Sequence, residues 1–233
     1  MKKMILISFL SLTMIVPSMG QSAQKKMKTT IQAEINYLMF LPKDYSEKGE
    51  PSPMIVFLHG SGERGNDLEK VKAWGPPAIV EKNPDFPFIV LSPQCPEGQW
   101  WNSYLIKGMI DDVLATYNVD KNRVYLTGLS MGGFGTWDLA IAYPNYFAAI
   151  APICGGGNPQ LIYQLKDIPI WVFHGKKDTS VPEERSAEMV EALKKIGANV
   201  EYTVLPEGGH ADAWIYAYNK AGLFDWFLKH EKK

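Results

Sequence analysis

The chain has 233 residues, with 24 Lys and Arg against 25 Asp and Glu and a formal net charge of −1. That length suits one domain with a sizeable core. No basic stripe or lysine block interrupts the balance of charge, which argues against nucleic acid or an anionic membrane as a partner.

Taken in order, the chain opens with Lys2 and Lys3, then an apolar run from Met4 to Val16, then Ser18-Met19-Gly20. This pattern predicts a secretory signal peptide at 1–20, cleaved after Gly20, because the apolar run is too short to span a bilayer. The product is expected to be exported, periplasmic or secreted, without stable membrane insertion. No cysteine follows the cut, so no lipid anchor is expected. Residues 21–233 are read as a single catalytic domain, with a polar segment at 21–30 expected to fray.

Apolar runs follow at 37–41, 54–58, 88–91, 124–127, 148–153, 170–173 and 200–205. Several are continuous rather than alternating, as strands covered on both faces should be. Helical patterns separate them at 67–81, 104–117, 133–142, 180–196 and 212–229. At 180–196, Pro182 and two glutamates suit the first turn. Met189, Val190, Leu193 and Ile196 share one face, and Gly197 stops the helix. The alternation predicts an α/β fold with a mostly parallel central sheet and helices on both faces. Short connections leave no room for a large lid.

In such sheets the chemistry sits at the carboxyl ends of the strands. The first long strand is followed by His59-Gly60-Ser61-Gly62-Glu63-Arg64, and the next by Ser92-Pro93-Gln94-Cys95-Pro96. Later strands are followed by Gly128-Leu129-Ser130-Met131-Gly132, by His174-Gly175-Lys176-Lys177-Asp178, and by Pro206-Glu207-Gly208-Gly209-His210. A serine between glycines settles little alone. Ser130, Asp178 and His210 together, at three strand ends in that order, match the α/β-hydrolase triad order.

A serine hydroxyl is a weak nucleophile until a base takes its proton. His210 is the expected base, and Asp178 the group that holds its tautomer. The expected oxyanion donors are the Met131 amide and the Ser61 amide, with Gly62 in reserve. His59 and His174 are read as structural, bonding loop backbone. Glu63 and Arg64 are read as shaping their loop. Asp138, Asp167 and Asp212 are the other acids near these elements, but none lies in a loop after the proper strand. Trp100 and Trp101 are the better candidates for a substrate wall; Trp214 also flanks the site but is open to a plain core reading on the last helix. No motif implies a metal or an organic cofactor.

The stretches "LHGSGERGND", "SPQCP", "VDKNRVYLTGLSMGGFGTW", "YPNYFAAIAPICGGG", "HGKKDTSVP" and "GGHADAW" together resemble a group of compact secreted α/β-hydrolases. That group includes feruloyl and acetylxylan esterases, polyhydroxybutyrate depolymerases and relatives labelled predicted peptidases. The resemblance covers nearly the whole chain after residue 20. It implies Ser130, Asp178 and His210 as triad and a strand order of 1-2-4-3-5-6-7-8, with the first strand missing or rudimentary here. Dienelactone hydrolases carry a cysteine at the elbow, where this chain has Ser130.

The implied strand order puts Cys95 and Cys154 three strand spacings apart, about 14 Å at roughly 4.8 Å each. A disulfide needs Cα atoms within about 7 Å, so two free thiols are expected. The resulting expectation is an exported serine hydrolase of carboxylic esters, its substrate carrying acetyl or feruloyl groups on polysaccharide. A secreted peptidase of the prolyl-oligopeptidase-like type is the alternative. A non-catalytic carbohydrate-binding protein would have a broken triad, and here each member is present.

Overall fold

The computed structural model describes residues 33–232. The expected signal peptide and the segment 21–30 lie outside these residues. Each of the seven apolar runs is a strand: β1 (Tyr37–Phe40), β2 (Ser52–Leu58), β3 (Ile89–Pro93), β4 (Val119–Leu129), β5 (Ala149–Ile153), β6 (Ile170–Gly175) and β7 (Val200–Leu205). They form one sheet in the order β1-β3-β2-β4-β5-β6-β7. Only β1 is antiparallel, pairing with β3; the other neighbours run parallel. This is the expected α/β-hydrolase order lacking its first strand among the described residues.

The continuous apolar runs have their reason in two cores. Along β2, Met54, Val56 and Leu58 point into one face, while Ile55 and Phe57 point into the other. The first face is covered by α2 (Ser103–Thr116), α3 (Met131–Ala142) and α4 (Glu184–Lys195), which contribute Ile106, Ile110, Trp137, Met189 and Leu193. The second lies under α5 (His210–Asn219) and α6 (Leu223–Phe227), which contribute Ala213, Trp214, Tyr218 and Phe227. A buried aliphatic or Phe side chain contributes about 1.5–3 kcal/mol. Both faces of β2 carry such residues, so register is fixed from above and below.

Helix boundaries depart from the expected ones for local reasons. The helix expected at 180–196 begins only at Glu184, because the Asp178 carboxylate captures the Ser180 and Val181 N–H groups in a turn, at 2.8 and 2.9 Å. The pattern at 67–81 splits into a 3-10 stretch, Leu68–Ala73, and the short helix α1 (Gly75–Val80). The pattern at 212–229 splits into α5 and α6, joined through Gly222 at φ 73°. Among the described residues, no helix is long and apolar enough to cross a membrane.

Candidate active site

Ser130 sits on the turn between β4 and α3 with φ 55° and ψ −117°. A side chain held at positive φ costs on the order of 1–3 kcal/mol, so the surroundings must impose it. The Ser130 N–H donates to the Ile153 carbonyl at 2.9 Å, and the Ser130 carbonyl accepts from Phe134 N–H at 3.1 Å. The flanking glycines permit the crossing of chains. A Cβ on Gly128 would fall 2.3 Å from the Gly132 carbonyl oxygen, and one on Gly132 would fall 1.8 Å from the Leu58 carbonyl oxygen.

His210 opens α5. Its Nδ1 lies 2.5 Å from Asp178 Oδ2, and its Nε2 lies 2.9 Å from Ser130 Oγ. An ionised carboxylate only accepts, so Nδ1 carries the ring proton. Nε2 is then free to accept the serine proton. Asp178, its side chain fully buried, receives two backbone N–H groups on Oδ1 and His210 on Oδ2. Burial alone would raise its pKa, but the bonds from Val181, His210 and Ser180 outweigh it and hold the carboxyl below the usual range. Of the other acids, Asp212 accepts from Gly209 N–H at 2.8 Å, and Asp167 lines a groove near the amino ends of the strands. Trp214, one turn beyond His210, packs edge-on against its ring at 4.9 Å.

Met131 is the first residue of α3, where helix N–H groups have no partner within the helix. Ser61 opens the 3-10 turn Ser61–Glu63. The loop lies against the elbow, since a Cβ on Gly60 would be 3.6 Å from Ser130 Cβ. Two side chains brace it. Arg64 donates to the carbonyls of Ser61 at 3.0 Å and Gln99 at 3.1 Å, and Gln94 Nε2 donates to the carbonyls of Glu63 at 2.9 Å and Asp67 at 2.7 Å. Glu63 lies 3.9 Å from the His59 ring, and burial raises its pKa. Both residues shape the loop, as expected. Gln94 had no assigned role in the sequence, although its place just after β3 was the available signal.

The structural reading of His59 fits its bonds. Cys95 N–H donates to Nε2 at 3.0 Å, which leaves the proton on Nδ1 to donate to the Gly60 carbonyl at 2.6 Å. Burial drives the His59 pKa down to about 4, so the ring is neutral. Cys95 and Cys154 are free and buried, as the strand order implied. Cys154, His174 and Asp178 offer ligand atoms within 4.8 Å of one another. Burial pushes the Cys154 thiol up and keeps it protonated, and the Asp178 oxygens are already taken by N–H donors. The Cys154 thiol donates instead to the His210 carbonyl, so the trio offers no ready thiolate ligand.

The three tryptophans divide. Trp100 is 54% exposed and packs against Phe134, one turn after Ser130. Trp101 is corrected from substrate wall to core: it is 8% exposed, its indole N–H donates to the His59 carbonyl, and its ring fills the space beside Gly135. Trp214 is equally buried but touches His210. Trp74 was missed. It is 38% exposed and meets Trp214 edge-on at 6.0 Å. The helical pattern at 67–81 hid it, because the break before Gly75 turns Trp74 outward.

The dienelactone hydrolase family pattern matches residues 103–220 of this sequence. The chain belongs to the dienelactone hydrolase family. Ser130, at the position where the resemblance implies a cysteine in dienelactone hydrolases, lies inside the matched stretch. This family member is 33% identical over 122 residues to poly(3-hydroxyalkanoate) depolymerase C of Paucimonas lemoignei, covering 45% of this chain and 28% of that protein. It is 30% identical over 134 residues to the bifunctional acetylxylan esterase/xylanase XynS20E of Neocallimastix patriciarum, covering 54% and 19%. A solved thermostable esterase superposes with a TM-score of 0.75 at 36% identity, covering 85% of this chain and 60% of that one. The dienelactone hydrolase family member thus spans about half or less of the length of the curated relatives it matches.

Proposed function

We propose that this chain hydrolyses carboxylic esters through an acyl-enzyme on Ser130. The observation that carries the reading is the hydrogen-bonded run Ser130–His210–Asp178, at 2.9 and 2.5 Å, ending on a serine held at φ 55°. His210 Nε2 takes the Ser130 proton as Oγ attacks the ester carbon, and Asp178 stabilises the imidazolium. The Met131 and Ser61 amides receive the oxyanion. His210 then gives the proton to the leaving alcohol, and water repeats the sequence on the acyl-enzyme. Neither step calls on a metal or an organic cofactor.

Acetyl or feruloyl esters on carbohydrate are the substrate class proposed. The name of the acetylxylan esterase relative supports it, and so do the exposed rings of Trp100, against Phe134, and Trp74, against the Trp214 that packs on His210. The expected leader at residues 1–20 supports export. The test is turnover of nitrophenyl acetate, methyl ferulate, acetylated xylan and a nitroanilide peptide by wild type and Ser130→Ala. Esters are expected to turn over, with kcat lost by on the order of 10⁴-fold or more in the variant. Ester turnover surviving in Ser130→Ala would refute the nucleophile. Amide turnover matching ester turnover would favour the peptidase reading.

A further inference from the structure

Asp178 faces two imidazoles. Its Oδ2 lies 2.5 Å from His210 Nδ1 and 3.2 Å from His174 Nε2. His174 lies near the end of β6, four residues before the acid, and both side chains are fully buried. The same His174 nitrogen is 2.9 Å from the Val181 carbonyl. A carbonyl and a carboxylate only accept, so a proton sits on His174 Nε2. On the other side of the ring, Ser186 Oγ lies 2.8 Å from Nδ1 and 2.7 Å from the Gly155 carbonyl, and its single proton serves one of the two at a time. Gly155 presses on the elbow helix, where its Cβ would fall 2.4 Å from the Gly133 carbonyl carbon. A run of contacts therefore joins the helix behind the nucleophile to the acid without passing through the reacting groups.

The charged and titratable groups around His174 come from four elements. Asp178 lies on the loop after β6 and His210 on α5. Cys154 comes from the loop after β5. Glu183 precedes α4, where its carboxylate is already bonded to Lys176 at 2.5 Å and to the Tyr202 hydroxyl. Burial keeps the Cys154 thiol neutral. Asp178 is then the anion within reach of the His174 Nε2–H.

We propose that His174 is a positioning residue, whose Nε2–H, bonded to the Val181 carbonyl, also faces Asp178 Oδ2 at 3.2 Å and so helps to fix the carboxylate and limits the negative charge it offers to the base. This rests on the triad reading above. Without the second donor, Oδ2 belongs to His210 alone and the imidazolium is held more tightly. The acid limb of kcat/KM against pH then moves upward, and the less constrained carboxylate lowers kcat.

Two variants separate this from a structural role. Gln at 174 can place an amide N–H where Nε2 stands; Asn reaches only the Nδ1 position. In His174→Asn, the acid limb is expected to rise by about half a unit to one unit. Its kcat is expected to fall about tenfold, with KM changed by less than about twofold. His174→Gln is expected to restore the limb. A purely structural role would lower activity in both variants without moving it, and that result would overturn the proposal. A readout on the intact protein covers variants that fail to fold. Nitrogen NMR of labelled histidine should show a protonated His174 Nε2 whose signal moves when Ser130 is phosphonylated, and an unprotonated Nε2 would also overturn the proposal. Ser130→Ala is the control: activity surviving there sinks the triad reading, whereas a dead Ser130→Ala with an unmoved His174→Asn limb sinks this inference alone.

Discussion

At the scale of single residues, the site turns on where protons and N–H groups lie. The Asp178 carboxylate fixes the His210 tautomer, and that tautomer leaves Nε2 facing Ser130 Oγ. The proposed oxyanion donors are backbone groups, so side-chain deletion does not reach them. Ser61→Ala keeps its N–H and is expected to retain activity within about twofold, while Ser61→Pro removes it and is expected to lower kcat by about 10²–10³. The backbone accommodates the proline, because it would be the first residue of the turn and Gly60 before it is already extended, at φ −78° and ψ −177°. Steady-state kinetics on nitrophenyl acetate check the pair. Equal activity in the two variants would remove Ser61 from the oxyanion site.

At the scale of elements, the loop after β2 is held by a neutral, buried ring. As pH falls, unfolded His59 takes up a proton near 6.5, while the folded ring resists protonation until about 4. Stability from this group is therefore full above 6.5, is lost between 6.5 and 4, and levels off below; the window corresponds to about 3 kcal/mol. Asp178, with its depressed pKa, adds a separate loss at lower pH, as its folded form is protonated. His59→Gln keeps a donor and an acceptor but does not titrate. Urea unfolding at about pH 7 and about pH 4 should show wild type losing about 3 kcal/mol more than the variant. Equal losses would mean that the His59 ring is not held neutral. The inner strands were the most legible in the sequence because they are apolar on both faces, as β2 shows with Met54 and Val56 on one side and Ile55 and Phe57 on the other. Helix starts were less so. A period-3.6 pattern does not reveal that the Asp178 side chain will take the N–H groups of Ser180 and Val181 and delay α4.

At the scale of the whole molecule, the parallel sheet gathers three distant loops at one end, and residue order alone made Ser130, Asp178 and His210 legible as a group. The aromatic surroundings were not legible in the same way, because the exposure of a tryptophan depends on which layer covers it. Trp101 goes under the elbow helix and Trp74 comes to the surface beside Trp214. Two exposed rings connect to the proposed triad through other aromatics, Trp100 through Phe134 one turn after Ser130 and Trp74 through Trp214 one turn after His210. If they hold the flat parts of an ester, Trp100→Ala and Trp74→Ala should each raise KM for methyl ferulate about three- to tenfold while leaving nitrophenyl acetate within about twofold. Equal effects on both esters would assign the rings to packing instead. The central claim is that Ser130 is the nucleophile. It is tested most directly by reacting the protein with a fluorophosphonate and locating the adduct by mass spectrometry. A single adduct on Ser130, absent from Ser130→Ala and strongly slowed in His210→Ala, is the expected result. An unmodified protein, or an adduct on another residue, would contradict it.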